Sequence, residues 1–103
     1  MSQHCVKVVL PFLGSDLSPL FRLEEQLMEA IKKSGAGEFD GNDVGQGQAV
    51  LYMYGPDADA LYEAVAPVLH GSGLLKGGTV IRRCGPPAEG TREVRTEFTE
   101  RPV

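Results

Sequence analysis

No stretch of this chain approaches the roughly 18 consecutive apolar residues that a membrane-spanning helix requires, so no membrane partner is expected. Cysteine is scarce. Cys5 and Cys84 stand alone, with no Cys-x-x-Cys to suggest a redox pair. Also missing are a G-x-S-x-G elbow, a P-loop, a G-x-G-x-x-G following a strand and an H-E-x-x-H. With no Cys and His placed together for nucleophilic work, the expectation is a protein that is not an enzyme and holds no cofactor or metal. The opening Met1-Ser2-Gln3-His4-Cys5-Val6-Lys7 lacks the basic, long apolar and small-residue segments of a secretory leader. It reads as cytoplasmic, with both thiols reduced.

Basic residues are missing from one region altogether. Residues 34–75 carry Glu38, Asp40, Asp43, Asp57, Asp59 and Glu63 with no Lys or Arg, whereas residues 1–33 balance four basic against four acidic side chains. Residues 76–103 hold six basic against four acidic side chains. A net charge of −4 repels a phosphate backbone and argues against nucleic acid binding by counterion release.

What is present is an ordered series of patterns within 103 residues, a length that suits one domain. Cys5 to Phe12 is β-branched and apolar, broken only by Lys7, as a strand with neighbours on both sides would be. Pro11 ends it, and Ser18-Pro19 has the form of an N-cap and first helical position. Leu20, Leu23, Leu27, Ala30 and Ile31 then recur at helical spacing, with Glu24, Glu25, Glu29, Lys32 and Lys33 on the other side. Gly35 can take the left-handed position that stops this helix. Gly37 to Gly45 is a strand interrupted by turn formers and belongs at an edge.

Gly45-Gln46-Gly47 reverses the chain into Ala49-Val50-Leu51-Tyr52-Met53-Tyr54, the strongest strand signal in the sequence. Unbranched Leu51 and Met53 suit a helix-packed core, which leaves Val50, Tyr52 and Tyr54 on the open face; the opposite assignment would bury the tyrosines. Asp57 caps a second helix whose stripe is Leu61, Val65, Val68 and Leu69, with Pro67 inside it and Gly71-Ser72-Gly73 ending it. Thr79 to Cys84 is the next strand. Thr91 to Thr99 alternates again, as a solvated edge strand or one given to a partner.

The order is β-α-β-β-α-β. It defines an α+β class, a ferredoxin-like βαββαβ two-layer sandwich with antiparallel sheet order 4-1-3-2. Residues 1–103 form one domain with its core at about 4–85, and residues 86–103 are a tail or an extra C-terminal edge strand. The stretch Gly37-Glu38-Phe39-Asp40-Gly41-Asn42-Asp43-Val44-Gly45, followed by Leu51-Tyr52-Met53-Tyr54-Gly55-Pro56-Asp57-Ala58-Asp59-Ala60-Leu61, resembles that of small bacterial proteins of unassigned function with a ferredoxin-like fold. The resemblance covers about the central third of the chain and implies a fold, without an activity.

The polar clusters have bland readings beside sharp ones. Asp40-Gly41-Asn42-Asp43 offers oxygens of the kind Ca²⁺ prefers, yet Asp and Asn beside Gly are also what a turn requires, and no EF-hand spacing is present. In the expected topology Cys5 and Cys84 are neighbours, while alternation turns His4 away from Cys5. His70 complements the end of the second helix.

The reading that follows is a protein-interaction or regulatory module. Its open face, with Val50, Tyr52, Tyr54, Val9 and Arg82, pairs with a second copy, assisted by the strand around Val94 to Phe98. The acidic hairpin at Asp40 and Asp43 would dock a basic protein partner. Two alternatives stand behind this homodimer. One is a small regulatory ligand at a dimer seam, as in ACT or PII domains, with Gly14, Ser15 and Asp16 as contacts. The other is stacking of single-stranded RNA on the tyrosines, for which the basic-Gly-aromatic signature is absent.

Overall fold

The computed structural model describes residues 3–98. The apolar run becomes β1 (His4–Pro11), which pairs antiparallel with β3 (Gln48–Gly55) on one side and β4 (Thr79–Arg83) on the other. β2 (Glu38–Gly45) pairs with β3, and β5 (Glu93–Glu97) pairs with β4. The sheet order is β2-β3-β1-β4-β5. α1 (Ser18–Ser34) joins β1 to β2, and α2 (Ala58–Gly71) joins β3 to β4.

This order differs from the expected 4-1-3-2, because five strands are joined. The cause is local. Cys84 N–H donates to Arg92 O at 2.8 Å, Phe98 N–H to Gly78 O at 2.9 Å and Gly77 N–H to Phe98 O at 2.6 Å, so Arg92 to Phe98 satisfies backbone groups that β4 would otherwise leave open. The alternating tail strand is thus paired within its own chain; residues 99–103 lie outside the described residues.

Both helices cover one face of the sheet. Val6, Val8 and Leu10 of β1, Ala49, Leu51 and Met53 of β3 and Val80 of β4 meet Leu20, Leu23, Leu27 and Ile31 of α1 and Ala58, Leu61, Val65 and Leu69 of α2. Each buried Val, Leu, Ile or Met among them contributes about 1.5–3 kcal/mol by leaving water. Val68, expected in the α2 stripe, is only half-buried, and Ala58 at the helix start takes a core position instead.

Two local expectations for α1 change. The N-cap position is Leu17 rather than Ser18, and the cap bond comes from Asp16, whose Oδ1 accepts Ser18 N–H at 3.0 Å. Glu24 is not on the solvated side. It is buried at 7% exposure and accepts a hydrogen bond from Asn42 Nδ2, which ties α1 to the edge strand β2. The end of α1 is as read: Lys32 and Lys33 occupy the last turn and Gly35 has φ 69°. The β2–β3 reversal is a two-residue turn of Gln46 and Gly47, with φ 53° and 80°, the left-handed pair that matches strand twist.

Gly37 and Gly55 are required by close approach of backbones. A Cβ on Gly37 would collide with Tyr54 O, and one on Gly55 with Ala36 O, so the entry to β2 and the exit of β3 can lie together only without side chains. Gly55→Ala should therefore destabilise the fold by about 1–3 kcal/mol, the usual cost of overpacking. Gly71→Ala, where an added Cβ meets nothing, should be neutral or stabilising at a helix end. Urea denaturation of the two variants checks the contrast, and equal stability would refute it.

Candidate functional site: the open sheet face

Residues paired across antiparallel strands share a face, so the register gives the helix-free side row by row. One row runs Glu38, Tyr54, Cys5, Arg83, Glu93, and the next runs Gly41, Tyr52, Lys7, Ile81, Arg95. A third runs Asp43, Val50, Val9, Thr79, Glu97. The middle strands thus supply rings, aliphatic groups and two cations, and the edge strands supply mostly carboxylates. Val9, Val50, Tyr52, Tyr54 and Ile81 are all half-buried with no helix above them.

Within this face lies a hollow of about 170 Å³, walled by Cys5, Lys7, Tyr52, Tyr54, Ile81 and Arg83, with Glu93 at its margin. Arg83 is held by carbonyls: its Nε–H donates to Gly85 O at 2.8 Å and Nη2 to Gln3 O at 3.3 Å. Burial pushes the Cys5 thiol above its ordinary 9.0, against the opposing pull of Arg83 and the Tyr54 hydroxyl. Burial likewise raises Tyr54 above 10.0, helped by Cys5 and Asp40. A buried thiol kept protonated is a poor nucleophile.

The sequence candidates divide between two faces. Tyr52, Tyr54 and Val50 come together on the open side, and exposed Asp43 borders them on β2. Asp40 is the additional residue of a bulge between Phe39 and Gly41, also exposed. Phe98 is not brought to them. It lies just past β5 on the helix side, partly buried against the core, with its ring 5.4 Å from His70 in an edge-to-face contact. Val94 and Thr96 share that side; the β5 residues beside the tyrosines are Glu93, Arg95 and Glu97.

Arg82 is likewise corrected. It faces the helices, where its Nη1 donates to Asp59 Oδ1 at 2.7 Å and its guanidinium lies 5.1 Å from the Tyr62 ring centre. The neighbouring Arg83 is the one on the open face. Cys5 and Cys84 also part company: Cys5 pairs with Arg83, so alternation turns Cys84 to the core side, and both thiols are free. His4 faces the helices too, where its Nδ1 accepts Ala58 N–H at 3.0 Å at the start of α2. Gly14, Ser15 and Asp16 form an exposed β1–α1 loop that does not line the hollow, and the Asp16 carboxylate, lowered by its bond from Ser18, is engaged as a cap.

Sequence reasoning missed Lys7, Ile81, Arg83 and Glu93 as members of this face. A signal for Lys7 was present, as the one charge inside the apolar β1 run. No protein-family model matches the chain, and neither a curated protein nor a solved structure does.

The raised Cys5 and Tyr54 values have a consequence for stability. Both folded values lie above the unfolded ones, so the native state favours the protonated forms. That stabilisation is complete below about pH 9 and fades as pH climbs through the raised values. The thermal midpoint should fall above that pH, and Cys5→Ala should flatten the earlier part of the fall. An identical pH slope for wild type and variant would remove Cys5 from this account.

Proposed function

We propose that this chain is a cytoplasmic, non-enzymatic interaction module of ferredoxin-like architecture that docks a second copy of itself through the open sheet face. One observation carries the reading: the helix-free face has an aromatic and aliphatic centre, Val9, Val50, Tyr52, Tyr54 and Ile81, inside charged margins on β2 and β5. An apolar centre with a polar rim is the anatomy of a protein interface. Tyrosines are favoured anchors there, since each offers a large rigid surface and a hydroxyl that accepts a wet environment. The exposed carboxylates Glu38, Asp40 and Asp43 along β2 provide the contact for a basic protein partner and set its approach.

The test is the mass in solution by light scattering across a dilution series, for wild type and for Tyr52→Ala and Tyr54→Ala. If the rings anchor the seam, each truncation should cost about 2 kcal/mol, or roughly thirtyfold in dissociation constant. The variants should keep native circular dichroism, because neither ring is in the helix-packed core. A wild-type monomer at every concentration, or a dimer indifferent to both substitutions, would defeat the proposal.

A further inference from the structure

The middle strands of the open face contain two half-buried cations, Lys7 and Arg83, that lack counter-ions. Among the described residues the one ion pair is Arg82–Asp59. Lys7 and Arg83 therefore keep no carboxylate, although Glu93 stands opposite Arg83 in the register and the chain as a whole has more acidic than basic residues. Both are half-buried, and a partly desolvated charge without a partner is costly in a way that a bound ion would relieve. Arg83 is also pre-positioned. Its bonds to the carbonyls of Gly85 and Gln3 fix the guanidinium while occupying two of its five N–H groups, which leaves the others available.

The hollow beside these cations is of small-molecule size, about 170 Å³, and its remaining walls are largely apolar: the rings of Tyr52 and Tyr54 and the side chain of Ile81. Its charged lining is Lys7 and Arg83 against Glu93. Asp40, in the β2 bulge and outside the lining of the hollow, acts electrostatically on the Tyr54 phenol and the Cys5 thiol. The site therefore combines a cationic wall with an aromatic one, and Glu93 at its margin limits the charge it accepts.

We propose that this hollow binds a small monocarboxylate with an aromatic or apolar body, its carboxylate on Lys7 and Arg83 and its body against Tyr52 and Ile81. Arginine suits a planar carboxylate because two parallel N–H groups can meet its two oxygens. The anionic head recovers the missing counter-ion, and the apolar body removes ring surface from water. A doubly charged anion is disfavoured by Glu93. The site belongs to a single copy of the chain, so it goes beyond the docking reading and does not require a dimer; because Tyr52, Tyr54 and Ile81 also line the docked seam, the carboxylate and a second copy would compete for this face.

Benzoate is the probe, with benzamide as its neutral isostere and inorganic phosphate as a bare anion. Amide shifts in a two-dimensional NMR titration should saturate with benzoate and cluster at Lys7, Tyr52, Ile81 and Arg83. Benzamide and phosphate should each bind at least fivefold more weakly. Arg83→Gln should weaken benzoate at least fivefold, whereas Arg95→Gln, on the same face but outside the hollow, should change it less than twofold. Absence of saturable shifts, equal binding of benzamide, or an effect of Arg95→Gln as large as that of Arg83→Gln would each overturn the proposal. The benzamide comparison needs no variant, so it decides the matter even if Arg83→Gln fails to fold. The titration is made at a dilution where light scattering gives the monomer mass, so that a failure of this site is distinct from its being covered by a second copy.

Discussion

Pairing of β1 on both sides is the constraint from which the rest of this structure follows. As the central strand it has no free edge, and its alternation divides the molecule: Val6, Val8 and Leu10 enter the core, while Cys5, Lys7 and Val9 run down the middle of the open face. A slip of one residue would exchange the two sets and put Lys7 under the helices, where an unpaired ammonium costs several kcal/mol. The lone lysine thus helps to fix the register as well as lining the hollow. Core packing and surface chemistry are specified by the same alternation.

The elements with strong periodicity were legible in the sequence. β1, β3 and both helices announced themselves, and the side of β3 that packs on helices could be read from unbranched Leu51 and Met53 opposite the tyrosines. What was not legible depended on distant partners. Thr79 to Cys84 is short and places Arg82 beside Arg83, so nothing within it says which arginine faces the helices; the answer comes from pairing with β1 and from Asp59, a residue of α2. Glu24 looked solvated because of its charge and that of Glu25 beside it, although Leu20, Leu27 and Ile31 share its side of α1, and the approach of Asn42 from β2 makes its burial acceptable. The separation of Cys5 from Cys84 needed the exact register, since one position along a strand changes the face.

Charge placement completes the division of labour among surfaces. β2 is bulged at Asp40, contains Gly41 and Gly45, and presents Glu38, Asp40 and Asp43. These features discourage another chain from adding a strand there. β5 carries Glu93, Arg95 and Glu97 along its open side, with a similar effect. With both edges guarded against strand addition and one face under helices, the tyrosine face is the side of the sheet left uncovered.

The central position of the first strand also governs the history of the chain. During synthesis β1 leaves the ribosome before either of its neighbours exists, and β4 follows only after the whole of α2. The β2–β3 hairpin can close locally through its Gln46-Gly47 turn and take β1 as a third strand, but the far edge of β1 stays open until β4 arrives beside it. Distant pairings of this kind make assembly slower than local ones. Until then, the apolar strand that later forms the core is the segment most in need of protection from aggregation.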